Sequence, residues 1–324
     1  MTAADPLGRD AVSPWGMGRA AWWSVAKRVW RETGRDNIGL ISAGVAFYGF
    51  LSVVPTLAAI ILIYGLFASP DILLETLRAV SGHLPSEAAT IVNDQLIGLA
   101  QSPDERKGWG LAVAISLAVY GATKGVDALV TAISLAYGEI ESRGFVERSL
   151  IVLALTLFGV TFALGSLAIL GLLSLPVALL PDGVFDMTWV IGVVSMIVLA
   201  VASSFGAAIF FRFAPDRHAA KWTWLTPGAV LTGLGWIMVT SGFSFYTSRV
   251  TDYGAAWGSL AGIVVLMTWL YLSAYILLIG AELNAELERQ TVRDTTTGPD
   301  KPMGSRGAVV ADTVASPSLP ETAG

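Results

Sequence analysis

The sequence predicts an all-α integral membrane protein: six transmembrane helices, a short amphipathic helix at the membrane interface ahead of them, and both termini cytoplasmic. Three observations predict it. Of the 324 residues, 54% are hydrophobic and only 14% charged, whereas soluble domains carry about 25% charged residues. Six long apolar stretches recur along the chain, each long enough for the ~20 residues that cross a hydrocarbon core. Lys and Arg collect in alternate connections between those stretches, the bias that orients a polytopic protein with its basic loops inside.

Residues 1–18 are rich in Gly, Pro and Ala, and are expected to be disordered. In residues 19–36, RAAWWSVAKRVWRETGRD, a helical winding puts Trp22, Ala26, Val29 and Trp30 on one side and Lys27, Arg28, Arg31 and Arg35 on the other. Such a helix suits the membrane interface, with its basic face towards anionic head groups, and equally suits docking on the protein's own cytoplasmic face. A membrane domain over 37–289 follows. Its crossings are expected at 38–68, 109–137, 149–180, 187–211, 224–247 and 256–283. The one long connection, 69–108, reads as two amphipathic helices around 71–80 and 86–100, divided by Gly82 and Pro85.

Orientation follows from the cations. Arg9, Arg19, Lys27, Arg28, Arg31, Arg35, Arg143, Arg148, Arg212, Arg217, Lys221, Arg289 and Arg293 fall on one side; Arg78, Arg106, Lys107 and Arg249 fall on the other. Loop 69–108 is therefore extracytoplasmic. The tail 290–324 is rich in Thr, Pro, Gly, Ser and Asp, a composition that buries little apolar surface and is expected to be disordered. The first 35 residues lack the apolar core of a cleavable signal peptide.

Composition also excludes chemistry. The net charge of -5 is unlike that of nucleic-acid binders, whose domains are strongly basic. There are no cysteines, hence no disulfides or thiolate metal sites. His83 and His218 are expected on opposite sides of the membrane, too far apart to share a zinc ion. No phosphate-binding loop, paired-histidine zinc motif or nucleophile elbow is present. The chain is expected to be no enzyme, with no catalytic residue, cofactor or metal.

The second stretch is the only one with charges well inside it. Lys124 and Asp127 lie three residues apart there, a spacing that puts them on adjacent turns of one helix face. Ionisable groups inside a crossing helix are costly and often mark a pathway, so this pair is the candidate intramembrane polar site. The other reading has the apolar part ending near Tyr120, with Lys124 snorkelling to the cytoplasmic interface. Gly121 and Gly125 flank the lysine and leave room for a backbone or a ligand. In the first stretch, Tyr48, Ser52 and Pro55 join the candidate site. Pro55 removes a backbone hydrogen bond and is expected to kink the helix, and Asp36 and Asn37 are placed to cap its start. Gly254, Gly258 and Gly262, every fourth residue, form a small-residue stripe for helix packing. Glu282, Asn284 and Glu286 read as a solvated helix end. Arg212, Arg217 and Lys221 with Trp222 and Trp224 read as a basic, aromatic turn at head-group level.

Four segments carry a resemblance to a known family: AGVAFYGFLSVVPTL at 43–57; YGATKGVDALVTAISLAYGE at 120–139 with Arg143, Phe145 and Arg148 after it; RFAPDRHAAKWTWLTPGA at 212–229; and GFSFYTSRVTDYGAAWGSLAGIVVLMTWLYLSAYILLIGAELNAE at 242–286. In this order they resemble the BrkB/YihY family of bacterial inner-membrane proteins over about residues 20–288. Members often have Asn where Ser134 stands here. The resemblance implies six crossing helices in the inner membrane and a link to serum resistance and lipid handling. An older label for the family, ribonuclease BN, is not supported by two isolated histidines. The functional expectation is a transporter or exporter of an anionic or amphipathic solute, lipids included. The alternative is a non-transporting envelope scaffold or regulator. The expected partners are membrane lipids and an envelope protein or a second copy of the chain, with no nucleic acid.

Overall fold

The structure, a computed structural model, describes residues 8–67, 104–179, 188–249 and 260–315. Among these residues the regular structure is helical. A single turn of 3-10 helix at Pro14–Gly16 precedes α1 (Arg19–Arg35), α2 (Ile38–Phe67), α3 (Asp104–Ala136), α4 (Phe145–Leu179), α5 (Thr188–Phe213), α6 (Trp222–Arg249), α7 (Leu260–Glu288) and α8 (Val309–Asp312). Helices α2 to α7 overlap the six apolar stretches, with α3 and α4 beginning earlier and α7 ending later than expected. Three segments are long and apolar enough, among the described residues, to cross a membrane: Phe145–Ser166, Trp189–Phe213 and Gly262–Glu288. Their outer faces carry large exposed apolar side chains, among them Leu153, Leu157 and Leu164 on α4 and Met196, Ile197 and Val201 on α5. A helix apolar on all sides is stable only inside a large core or a bilayer. Loop 69–108 lies outside the described residues apart from the start of α3.

The chain forms two compact units. One comprises Met1–Ser42, Leu129–Val239 and Ser273–Gly324; the other comprises Ala43–Ala128 and Thr240–Leu272. In the second unit, α2 and α3 meet backbone to backbone. A methyl group added at Gly121 would lie 2.8 Å from Ser52 Cα, and one at Gly125 would lie 3.7 Å from Gly49 N. The two glycines beside Lys124 therefore serve a helix crossing.

In the first unit, glycines also let helices touch. A Cβ at Gly228 of α6 would fall 2.1 Å from the Gly280 carbonyl of α7, one at Gly233 2.6 Å from the Ala200 carbonyl of α5, and one at Gly235 2.4 Å from Ile276 Cγ1. The stripe read from the sequence is different. Gly262 is exposed and has open space around it, while Gly254 and Gly258 lie outside the described residues. A stripe period marks glycines on one face but not which face meets a neighbour.

Helix α1 docks on its own protein. Ala21, Val25 and Val29 are buried, and pack with Met17, Trp224 and Leu287. The i, i+4, i+8 stripe that does this differs from the expected Trp22, Ala26, Val29 and Trp30 face: Trp30 is 83% exposed and Trp23 66% exposed. The chain then turns sharply at Asn37, whose φ of 52° is one that Asn tolerates better than most residues. Asp36 closes α1 through its N–H to the Glu32 carbonyl at 2.8 Å, rather than capping α2 with its side chain.

The two segments expected to be disordered are ordered where they are described. Residues 8–17 and 290–315 hold each other: Val292 N–H donates to Arg9 O at 2.8 Å, and Thr291 Oγ1 lies 2.9 Å from Arg9 O and 2.8 Å from Ala11 O. Buried Arg306 donates to the carbonyls of Val292 at 2.7 Å and Ala311 at 2.6 Å. Lys221 N–H donates to Thr295 O and His218 N–H to Gly307 O, both at 2.8 Å. Composition misleads here because hydrogen bonds add to the small apolar burial at Met17, Ala308, Val310 and Ala311.

Gly228→Ala is expected to lower the thermal midpoint of the detergent-solubilised protein, since overpacking a fitted contact costs about 1–3 kcal/mol. Gly159→Ala, where nothing lies within 4 Å of the new methyl, is expected to leave it unchanged. A thermal series read by size-exclusion chromatography compares them.

Candidate functional site

The last turns of α7 are expected from sequence to be a solvated helix end. They are instead among the most buried polar residues described: Glu282, Asn284, Glu286 and Glu288 are each 0–1% exposed. Buried carboxylates are costly unless paired, and Glu286 and Glu288 are each met by a different part of the first unit.

Arg28 of α1 forms an ion pair with Glu286 through its Nε, and donates through Nη2 to the Glu286 carbonyl at 3.1 Å and Gln290 Oε1 at 2.6 Å. Arg289 Nη1 reaches the other Glu286 oxygen at 2.7 Å. Arg217, from the α5–α6 connection, makes a bidentate pair with Glu288 at 2.6 and 3.1 Å. Thr295 Oγ1 adds a bond to Glu288 Oε2 at 2.6 Å. The same guanidinium sits 5.0 Å from the centre of the Tyr137 ring. Asn284 repairs α6 beside Pro227, which lacks an N–H. Its Oδ1 accepts from Gly228 N–H at 2.8 Å and its Nδ2 donates to Leu225 O at 3.2 Å.

Tyr137 reaches this centre because α3 ends there. Gly138 takes a φ of 65°, and the N–H groups of Gly138 and Glu139 return to the carbonyls of Leu135 and Ser134 at 2.8 and 2.9 Å. This is the glycine-terminated helix end that satisfies orphan carbonyls. Tyr137 and the carboxyl-bearing turn of α7 thus face one another. Two buried oxygens there have no hydrogen-bond partner: Tyr137 Oη and Glu282 Oε1.

A second cluster joins the α3–α4 and α5–α6 connections. Arg143 pairs bidentately with Glu141 at 2.6 and 2.7 Å and donates to Ala214 O at 2.9 Å. Asp216 Oδ2 accepts from Ser142 N–H at 2.7 Å and Ser142 Oγ at 2.6 Å. The Arg143 hydrogen bond holds the Glu141 carboxyl below its ordinary value. Burial would raise Asp216, but the Ser142 bonds and the Arg143 charge outweigh it and hold that carboxyl low as well. The basic turn is therefore largely used internally: Lys221 Nζ donates to Asp294 O at 2.9 Å, and the Arg212 guanidinium lies 4.6 Å from the Trp222 ring centre.

The residues expected to form an intramembrane site belong to the second unit. Lys124 is exposed, with its ammonium 5.9 Å from the Tyr120 ring centre. Asp127 is half-buried and Tyr48 exposed. Ser52 donates to the Gly49 carbonyl at 2.7 Å. Pro55 lies within α2, its side chain outside the described residues. Ser134 is buried and bonds back to Val130 O at 2.8 Å. Between α4 and α5 runs an apolar groove of about 610 Å³ lined by Phe158, Phe162, Ile169, Ile197, Val201 and Phe205. Among the described residues, no three His, Asp or Glu side chains are grouped as metal ligands would be.

The buried cluster was missed in sequence because GAELNAELER has the composition of a solvated end. Its available signal was spacing: Glu282, Glu286 and Arg289 follow a helical period, directly after an apolar stretch.

Residues 29–304 match the family model described as virulence factor BrkB. The chain is 31% identical over 264 residues to a ribonuclease-like protein, YfkH, of Bacillus subtilis (strain 168), a match covering 77% of this chain and 90% of that one. It is 24% identical over 259 residues to a UPF0761 membrane protein of Ralstonia nicotianae, covering 79% of this chain and 57% of the relative. A UPF0761 membrane protein of Albidiferax ferrireducens is 24% identical over 278 residues, covering 83% and 64%. The chain thus spans less than two thirds of these two relatives. No solved structure matches.

Two outcomes are expected from these ion pairs. Arg217→Ala leaves Glu288 buried without its guanidinium and is expected to cost about 3–5 kcal/mol, read as a collapse of the thermal midpoint. Arg31→Ala, at an exposed pair with Glu32, is expected to change little. The second outcome is acid sensitivity. Glu141 and Asp216 have folded-state values below their unfolded ones. The stability they contribute is therefore full above the ordinary carboxylate range and lost as pH falls through the lowered values. Asp216→Asn is expected to be less stable at neutral pH and to show a shallower acid limb in the same melting assay.

Proposed function

This chain belongs to the BrkB family of membrane proteins, and from that premise we propose that it moves, or helps to move, an anionic amphipathic solute of the lipid class. In this reading α2 to α7 are six crossings of the bacterial inner membrane, and both termini are cytoplasmic. The observation that carries it is Lys124. Its side chain is exposed on a helix whose neighbouring exposed residues are Leu117, Val119 and Tyr120, so a lysine faces surroundings that otherwise suit hydrocarbon. A cation there draws an anionic group, and Tyr120 steadies the amine. Asp127 lies one turn on, half-buried.

A scaffold role is the second reading. Helix α1 supports it: Trp23 and Trp30 are exposed, and Lys27 lies 5.4 Å from the Trp23 ring centre. That face suits a membrane surface or an envelope protein. The ribonuclease wording belongs to one relative's name and is not carried to this chain, for which we propose no enzymatic activity.

Reconstitution in liposomes separates the readings. Wild-type protein is expected to accelerate transbilayer movement of fluorescent phosphatidylglycerol. Lys124→Ala is expected to slow it roughly tenfold, equivalent to about 1.4 kcal/mol, at unchanged protein level. A wild-type rate equal to that of protein-free liposomes sinks the transport reading, and a photocrosslinked partner at Trp30 would then favour the scaffold.

A further inference from the structure

Helix α1 turns one stripe to its own protein and leaves the opposite face uncovered. Ala21, Val25 and Val29 pack with Trp224 and Leu287, and Arg28 beside them pairs with Glu286. At 3.6 residues per turn, the arc away from that stripe holds Arg19, Trp23, Ala26, Lys27, Trp30 and Arg31, and all six are exposed. Lys27 follows Trp23 by four residues and precedes Trp30 by three, so the lysine stands between two indoles on successive turns. Its ammonium lies 5.4 Å from the Trp23 ring centre.

The charge of α1 is nearly all of one sign. Arg19, Lys27, Arg28, Arg31 and Arg35 stand against a single acid, Glu32. Glu32 is mostly covered, and it meets Arg31 at 3.2 Å and Arg35 at 3.4 Å. One carboxylate shared by two guanidiniums leaves the end of the helix positive, as Arg19 and Lys27 leave its start and middle.

What α1 touches sets its height. Leu287 belongs to the end of Gly262–Glu288, a segment able to cross a membrane. The end of Trp189–Phe213 and the start of Phe145–Ser166 lie at the same end of the first unit, because Arg217 reaches Glu288 and Arg143 reaches Ala214 O. Exposed aromatic side chains mark this level: Phe145 on α4, Phe213 on α5 and Trp222 on α6, with the Arg212 guanidinium beside the Trp222 ring. Aromatic rings among basic side chains at helix ends are the mark of the head-group layer. The docked stripe therefore holds α1 where head groups lie, with a cationic, tryptophan-bearing face uncovered.

We propose that this face of α1 is a contact surface for anionic phospholipid head groups. Lys27 meets a lipid phosphate, the indoles of Trp23 and Trp30 enter the layer of glycerol and carbonyl groups beside it, and Arg19 and Arg31 extend the positive field along the helix. Attraction to an anionic surface adds to the burial of the rings, so the contact strengthens with the anionic share of the bilayer. Because α1 is already folded on the protein, the contact requires no helix formation. The surface lies in the first unit and Lys124 in the second, so the inference does not depend on the transport reading.

The chain has no cysteine, so Ala26→Cys gives one labelling position on this face for an environment-sensitive fluorophore. Full-length labelled protein is reconstituted in phosphatidylcholine vesicles with rising phosphatidylglycerol, a head-group nitroxide lipid serving as quencher. The emission is expected to shift to the blue, and quenching to increase, as phosphatidylglycerol rises. Adding Lys27→Gln is expected to move the midpoint to a higher phosphatidylglycerol fraction, and added salt to do the same. A label that stays water-like and unquenched at every composition overturns the proposal and favours a protein partner. Quenching that is equal with and without phosphatidylglycerol also overturns it, since the tryptophans alone then account for the contact. So does a midpoint that Lys27→Gln combined with Arg31→Gln leaves unmoved in protein of unchanged elution volume.

Discussion

Pairing of buried carboxylates at the end of α7 is the constraint on which the rest of the first unit depends. Glu286 and Glu288 have almost no exposure, and a buried ion without a partner costs more than most single contacts supply. Arg28 and Arg217 must therefore be delivered to them, which requires that α1 lie against α7 and that the α5–α6 connection fold inward. The apolar contact of Val25 and Val29 with Trp224 and Leu287 holds α1 at the right height. The ion pairs then select its register.

The ordered tail follows from the same demand. Thr295 completes the shell of Glu288, and Gln290 that of Arg28. Arg306 gathers free carbonyls of the turn beyond α7, and Arg9 and Ala11 accept from Thr291. A segment too polar to form a core is thus fixed as a cap over one. Several of the motifs that carry the family resemblance meet in these two clusters: Arg143 and Asp216 in one, Arg217 and Asn284 in the other. Their shared task in this chain is structural, since each satisfies a backbone or side-chain group that burial would otherwise strand.

The second unit obeys a simpler rule. Its described contacts are close backbone approaches, at Gly121 against Ser52 and Gly125 against Gly49. In a medium as apolar as the side chains themselves, such fitted contacts replace the hydrophobic effect as the source of helix association. Lys124 flanks that crossing and stays exposed. The same glycines that suggested room for a ligand are taken by a neighbouring helix, leaving the lysine and its tyrosine to face outward.

The sequence by itself determined that six long helices would form and where they would lie, because apolar run length depends only on local composition and helix rise. It also identified α1 and the resemblance that places the chain in its family. It did not reveal the α7 cluster, the partner of each arginine, the ordered tail, or which glycines touch. A charged residue near a helix end reads the same whether water or an arginine from far along the chain will meet it. A glycine likewise has one identity whether its face is open or filled. Only tertiary structure supplies those partners, and with them the burial that sets Glu286 and Glu288 against their arginines.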